Sequence, residues 1–148
     1  MGIRTEAQIT VNRPASEVFD YLAHAERLPE YVDDFESVTH EEPGEPAQGH
    51  VYSYKMKRGA EGTFEWTEFH PERLAWAGPK ATMGPGSMKP SGWWELTEAD
   101  GATRVKLVMT PEPGGLFKLM APFMKMGMAR GNERALEKLK ANLERSAA

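Results

Sequence analysis

The chain has 148 residues, enough for one domain with a substantial core, and its composition of 40% hydrophobic and 27% charged residues is typical of a soluble globular protein. A net charge of -4 argues against non-specific nucleic-acid binding, which requires a basic surface. The lack of cysteine excludes disulfides and thiolate metal sites. We find neither a signal-peptide pattern nor a run of about 20 apolar residues, so we expect a cytoplasmic protein without a transmembrane segment.

The first part of the chain predicts a strand followed by two short helices. Residues 3–12 alternate between apolar and polar, as in a half-buried strand whose inward face carries Ile3, Ala7, Ile9 and Val11. Pro14 suits the first turn of a helix, and apolar residues follow at helical spacing from Val18 to Leu22. A second short helix is predicted at 25–32, where Pro29 limits its regularity.

The middle of the chain returns to a period of two, broken by glycine and proline turns. This pattern predicts six strands, at 35–42, 50–58, 61–70, 73–83, 90–98 and 103–110. The short connections between them imply an antiparallel meander. Asp100-Gly101 lies between two alternating runs and is the strongest hairpin signal in the chain.

The last part of the chain predicts one long amphipathic helix that begins after Gly115 and runs to the end. Its apolar stripe is formed by Leu116, Met120, Met124, Met128, Ala135, Leu139 and Leu143. Pro122 removes a backbone donor, so we expect a kink there. The order of elements predicts a single α+β domain, 1–148, in which a curved sheet covers the long helix.

Several stretches resemble the polyketide cyclase/dehydrase and lipid-transport group of the START/Bet v 1-like (SRPBCC) superfamily. They are VNRPASEVFDYL at 11–22, LPEY at 28–31, ESV at 36–38, FHPERLAW at 69–76, GATRV at 101–105, GGLF at 114–117 and ALEKLK at 135–140. The resemblance covers essentially the whole chain and implies a helix-grip fold with a curved seven-stranded antiparallel sheet around the long helix. It also implies an internal cavity. Tyr31 stands where many relatives carry Trp, which implies a slightly more polar entrance.

Strand and helix periodicity predict which side chains line the space between sheet and helix. The candidate ligand-binding residues are Tyr31, Tyr52, Tyr54, Met56, Arg58, Phe64, Trp66, Glu68, Trp76, Trp94, Leu107, Met109, Met120, Met124, Gly127 and Met128. A methionine-rich wall adapts to irregular ligands, although the same pattern is typical of a plain core. Gly127 and Gly131, one turn apart, either leave room for a ligand or allow close backbone packing or a bend.

Arg58 and Glu68 are the charged residues that alternation places on the apolar face, and they are the candidate catalytic residues. An unpaired buried charge is costly, so the two residues either hold a polar group of a ligand and move a proton, or lie solvated near strand ends. The histidines lack the spacing of metal ligands: His24, His40, His50 and His70. We therefore predict no metal site and no cofactor.

The first functional hypothesis is binding or carrying of a hydrophobic small molecule, such as a lipid, isoprenoid or polyketide, by a monomer or homodimer. The second is a polyketide cyclase or dehydratase that uses Glu68 and Arg58. The third is a protein-interaction module that uses the methionine-rich face of segment 117–129, which basic residues flank. The fold alone does not choose between these functions.

Overall fold

The computed structural model describes residues 2–145, apart from the side chain of Met83. Within that range the strands are β1 Thr5–Val11, β2 Phe35–His40, β3 Val51–Met56, β4 Glu61–His70, β5 Arg73–Ala77, β6 Ala81–Met83, β7 Gly86–Lys89, β8 Ser91–Ala99, β9 Ala102–Met109 and β10 Glu112–Gly115. The helices are α1 Ala15–Ala23, α2 Ala121–Arg145 and two short 3₁₀ helices, Ala25–Glu30 and Leu116–Lys118. The last residues of the predicted helix, 146–148, lie outside the described residues.

Seven strands form one antiparallel sheet in the order β1-β9-β8-β5-β4-β3-β2, which confirms the predicted α+β class and strand number. A small second sheet has the order β10-β7-β6. The predicted strand 73–83 is wrong in extent, because β5 ends at Ala77 and the chain passes through Gly78 and Pro79 into the second sheet. The sequence missed β7 and β10 because their glycines and prolines are ordinarily turn signals.

Strand β1 keeps the predicted alternation. Ile3, Thr5 and Val11 are buried, whereas Arg4 and Glu6 are exposed. The strand pairs antiparallel with β9 along its whole length. Strand β1 therefore presents one apolar face that can pack against a helix, as its alternating sequence predicts.

Helix α2 begins later than the sequence predicts, at Ala121. Pro122 consequently lies in the first turn, where a missing backbone N–H breaks no helical hydrogen bond. The predicted kink at Pro122 is therefore wrong. Leu116 belongs to the preceding 3₁₀ helix and is exposed, so it is not part of the stripe that covers the sheet.

Helix α2 lies along β1 and runs in the same direction. Asn132 Nδ2 donates to Thr5 Oγ1 at 3.1 Å, and Lys140 Nζ donates to the Thr10 carbonyl oxygen at 2.7 Å. Because Thr5 begins β1, the first part of the helix, 121–131, extends beyond the start of that strand. Asn132 and Thr5 are both buried, and each supplies the other with a hydrogen-bond partner.

The hydrophobic core lies between the inner face of the large sheet, the two short helices and the second half of α2. The helix contributes the buried residues Ala135, Leu136, Leu139 and Leu143. Among the described residues that form the core or pack against it, none comes from 116–131. The second half of α2 therefore covers the sheet, and the first half does not.

Two aromatic rings on the inner face lie over glycines of neighbouring strands. A Cβ atom at Gly92 would be 2.6 Å from Trp76 Cζ2 and 2.5 Å from the Val108 carbonyl oxygen. A Cβ atom at Gly62 would be 2.5 Å from the Tyr54 hydroxyl oxygen. These glycines allow the rings of Trp76 and Tyr54 to lie flat across the sheet.

We expect Gly92→Ala to lower the free energy of unfolding by about 1–3 kcal/mol, because the new methyl group overpacks against a ring and a backbone oxygen. Gly127→Ala is the control, because a Cβ atom there meets nothing within 4 Å. This helical substitution should raise the free energy of unfolding by up to about 1 kcal/mol. Denaturant unfolding of both variants measures the difference, and equal stabilities would contradict the packing described.

Candidate functional site

A row of paired residues crosses the inner face of the large sheet. We call this the cross-strand row: Thr5, Met109, Gly92, Trp76 and Trp66, each opposite the next in the β-ladders. Directly opposed residues in an antiparallel sheet share a face. The row continues to His50, whose carbonyl oxygen accepts the backbone N–H of Trp66 at 3.2 Å. Helix α2 meets the row at its first member, through the bond from Asn132 to Thr5.

The first half of α2 presents apolar side chains that no core residue covers. Met124 and Met128 are half-buried and continue the helix face that carries Asn132. A Cβ atom at Gly127 or Gly131 would meet nothing within 4 Å. Close backbone packing at these glycines is therefore wrong, and open space adjoins both. Met120, also predicted to bind ligand, precedes the helix and is exposed.

The sheet also has apolar residues that are only partly covered. Trp76 and Met109 of the cross-strand row are half-buried, and so are Tyr54 and Met56 outside the row. The Tyr54 ring packs edge-on against the Phe35 ring with centroids 5.7 Å apart. Burial raises the pKa of the Tyr54 hydroxyl, so this group stays protonated and can donate a hydrogen bond.

Another part of the predicted ligand-binding set is closed within the core. These buried residues are Tyr31, Tyr52, Phe64, Trp66, Trp94 and Leu107. Tyr31 does not lie at an entrance, because its ring packs against Tyr21 and Trp94 and only 1% of the residue is exposed. Burial also raises the pKa of its hydroxyl strongly.

Tyr52 and Trp66 supply the polar atoms of this buried group. The Tyr52 hydroxyl donates to the Ala23 carbonyl oxygen at 3.2 Å, and burial raises its pKa to about 12. The Trp66 indole N–H is close enough to that hydroxyl to offset part of the rise. Its geometry is nevertheless too poor for a hydrogen bond, and the indole nitrogen finds no acceptor among the described residues. An unpaired buried donor carries a free-energy cost in the folded protein.

Arg58 does not reach the inner face. Strand β3 ends at Met56, two residues earlier than the sequence predicts, and Arg58 lies exposed in the turn that follows. Strand alternation does not assign a face of the sheet to a residue that lies in a turn. The prediction that Arg58 is a catalytic or ligand-binding residue of the inner face is therefore wrong in its placement.

Glu68 lies on the outer face of the sheet, which also contradicts its predicted placement. The ladder between β4 and β5 is in register up to Trp66 and resumes at Glu68, so one residue bulges between them. The bulge reverses the alternation, and Phe69 points inward instead. Glu68 accepts a hydrogen bond from Arg73 Nε at 2.7 Å in a partly exposed ion pair.

The outer face carries a charged cluster around Trp93. The guanidinium groups of Arg4 and Arg73 lie 5.4 Å and 4.5 Å from the centroid of its ring. The Trp93 indole N–H donates to Glu95 Oε2 at 2.6 Å. The bulge therefore places Glu68 beside a polar network outside the core, where its charge is satisfied.

An open groove of about 400 Å³ lies beside the start of β1, lined by Arg4, Thr5, Glu6, Lys125 and Ala129. It shares no residue with the predicted ligand-binding set, and three of its five lining residues are charged. The groove therefore differs in place and character from the apolar cavity that the sequence predicts.

The residues just before α2 and those of its first turns form an exposed apolar surface. Its large hydrophobic residues are Leu116, Leu119, Met120, Phe123 and Met126. Phe123 is 77% exposed, and Lys118 and Lys125 lie in the same segment. An interaction role for 117–129 stays a prediction, and exposed apolar residues of this kind are typical of contact surfaces.

The sequence missed a cluster formed by His40, Glu42 and His50. His40 Nε2 lies 2.9 Å from His50 Nδ1, and the three side chains could together hold a metal ion. The spacing of the histidines along the chain does not indicate that the rings of His40 and His50 lie side by side. His40 is opposite Tyr52 in the β2–β3 ladder, and that register is the signal that brings His50 beside it.

The sequence matches the family described as polyketide cyclase/dehydrase and lipid transport over residues 2–144. The chain belongs to this family. No curated protein matches the sequence. None of the described helices has the length and apolar character needed to cross a membrane.

Solved structures share this fold. The Zhui aromatase/cyclase from Streptomyces sp. R1128 has a TM-score of 0.80 at 18% identity, covering 100% of this chain and 97% of its own. A START superfamily protein from Mycobacterium smegmatis gives 0.76 at 11%, covering 97% and 99%. Ara h 8.0201 gives 0.66 at 13%, covering 97% and 98%. The predicted helix-grip fold of the START and Bet v 1 type is confirmed.

The loop between β2 and β3 is attached to α1 through His24. Its Nδ1 bonds to the Asp20 carbonyl oxygen at 2.8 Å, and its Nε2 bonds to Glu45 Oε2 at 3.1 Å. Both contacts raise the pKa of His24 above 6.5, and the hydrogen bond to the Asp20 carbonyl oxygen has the larger effect. Protonated His24 therefore stabilises the folded state. This contribution to the free energy of unfolding is fully present below pH 6.5 and is lost as the pH rises through the raised pKa of His24.

We expect an NMR titration to give His24 a pKa above 6.5. Glu45→Gln should lower this value only part of the way, because the Asp20 carbonyl oxygen is the larger cause. Glu41→Gln is the matched control, since Glu41 binds Ser53 instead. A His24 pKa below 6.5 in the unmodified protein would contradict the attachment of the loop.

Proposed function

We propose that the protein binds or carries a hydrophobic small molecule, such as a lipid, isoprenoid or polyketide, between the first half of α2 and the inner face of the sheet. Family membership supports ligand binding or a cyclase role in general. The proposal concerns the first of these two roles. Cytoplasmic location and a monomeric or homodimeric state remain predictions.

The observation that carries the proposal is that the two apolar surfaces do not pack together. Residues 116–131 contribute nothing to the described core, although Met124 and Met128 share a face with the buried stripe of α2. Trp76 and Met109, on the sheet, are also only half-buried. Complete burial of one such side chain is worth about 1.5–3 kcal/mol, so a ligand that covers several gains substantial affinity.

The same region offers few groups that orient a ligand. The Tyr54 hydroxyl is half-buried, and burial raises its pKa, so it stays protonated. As a donor it favours a ligand with a carbonyl or hydroxyl oxygen on an otherwise apolar body. This is the polarity expected of an isoprenoid, a fatty acyl chain or a polyketide.

The cyclase hypothesis relies on Glu68 and Arg58 as acid and base, but neither side chain lies at the inner face. Arg58 is exposed in a turn, and Glu68 is paired with Arg73 on the outer face. A general acid or base must come within hydrogen-bond reach of the reacting group. Neither side chain is placed to act on a ligand at the inner face.

We therefore expect Glu68→Gln to leave ligand binding unchanged and to alter the free energy of unfolding by less than about 1 kcal/mol, as is usual for a partly exposed ion pair. Calorimetric titration with a bound ligand and denaturant unfolding measure the two quantities. If the folded variant no longer bound the ligand, Glu68 would be part of the binding site and the conclusion above would be wrong.

Native mass spectrometry of the freshly purified protein, with a denatured control, tests the carrier function. We expect an additional mass that denaturation releases and whose value identifies the chemical class of the ligand. Met128→Lys should weaken binding of that ligand by at least about tenfold, because it introduces a charge on the covering face. Met126→Lys is the matched control, since Met126 is 58% exposed.

Two results would contradict the proposal. One is equal binding by the Met128 and Met126 variants, because the ligand would then lie elsewhere. The other is an apo mass together with no binding of fatty acids, isoprenoids or aromatic polyketides in titrations followed by tryptophan emission. Circular dichroism confirms that both variants are folded before affinities are compared.

A further inference from the structure

His40, Glu42 and His50 meet at the edge of the inner face where β2 and β3 are joined by the loop 41–50. All three side chains are half-buried, and their ligand atoms lie within 4.8 Å of one another. His40 is opposite the buried Tyr52 in the ladder and therefore shares its inward face. Glu42 and His50 belong to the loop, and their side chains lie beside the His40 ring, which packs against the His50 and Tyr52 rings.

The spacing of the two imidazole rings suits a shared metal ion. His40 Nε2 and His50 Nδ1 are 2.9 Å apart. Two Zn–N bonds of about 2.05 Å at a tetrahedral angle place the nitrogens roughly 3.3 Å apart, so the rings need to separate by only about 0.4 Å. Two histidines and one glutamate form a frequent zinc ligand set, which leaves a fourth position open.

Neighbouring groups hold the ligands in place. The His40 ring stacks on the Tyr52 ring at a centroid distance of 4.7 Å, and Tyr52 stacks in turn on the buried Phe64. Glu42 Oε2 accepts the backbone N–H of Val51 at 2.8 Å. Hydrogen bonds and packing of this kind orient metal ligands and contribute to affinity.

We propose that His40, Glu42 and His50 bind a divalent metal ion of the Zn²⁺ class through three protein ligands. The ion takes the place of the proton between the two imidazoles. That proton moves to the other nitrogen of its own ring, so two neutral histidines and one carboxylate become the ligands without net proton release. Glu42 contributes its negative charge and reduces the charge of the Zn²⁺ site to +1. Water occupies the fourth position.

This inference does not depend on the hydrophobic ligand proposed above. The carrier site is formed by the first half of α2 and the half-buried residues of the sheet, whereas the metal ligands belong to β2 and the loop 41–50. A protein that binds a hydrophobic ligand but no metal, or a metal but no such ligand, would separate the two proposals.

The test is a calorimetric titration of tag-free, EDTA-treated protein with Zn²⁺, together with a Co²⁺ titration followed by visible absorption. We expect one site with micromolar or tighter affinity and the absorption bands of low-coordinate Co²⁺. His50→Gln and Glu42→Gln should each weaken Zn²⁺ binding by at least about 100-fold, since even the loss of an outer hydrogen bond costs 10- to 100-fold.

Matched controls isolate the three ligands. Glu41→Gln removes the same charge from the adjacent residue, whose carboxylate binds Ser53, and His70→Gln removes an exposed histidine of β4. Both should bind Zn²⁺ with unchanged affinity. Thermal unfolding without metal establishes that each variant folds. Failure of the unmodified protein to bind Zn²⁺ more tightly than the His50 variant, or equal loss in the control variants, would overturn the proposal.

Discussion

Docking of the second half of α2 on the inner face of the sheet determines how the rest of the molecule is arranged. Ala135, Leu136, Leu139 and Leu143 supply the apolar area that fixes the helix, and the buried bond from Asn132 to Thr5 marks where the docking ends. The first half of the helix then continues past the start of β1 without a partner in the core. The two halves of one continuous helix thus differ, since its end stabilises the fold and its beginning presents the half-buried Met124 and Met128 to the space where we propose that a ligand binds.

The bulge in β4 has an equally wide effect on the chemistry of the interior. It turns Glu68 outward to Arg73 and turns Phe69 inward against the core. The inner surface of the central strands consequently consists of aromatic and aliphatic groups with isolated hydroxyl and indole donors. Such a surface gains affinity for a ligand from apolar contact.

Regular elements were predictable from the sequence, and departures from regularity were not. The alternation in β1 and the helical stripe around Leu139 correctly identified buried faces, because each depends on local periodicity. The placement of Glu68 failed at a single extra residue, which no period records. The pairing of His40 with His50 depends on the register between two strands, so the spacing of ten residues alone could not indicate it.

Trp93 and Trp94 are adjacent in β8 and therefore lie on opposite faces of the sheet. Trp94 is buried beside Trp76 and Tyr31, whereas Trp93 stacks with two guanidinium groups outside. The intrinsic emission of this protein consequently combines an interior contribution from Trp66, Trp76 and Trp94 with an exterior contribution that ionic strength affects. Replacing Trp93 by phenylalanine isolates the interior signal and turns the remaining indoles into a selective optical reporter of the inner face.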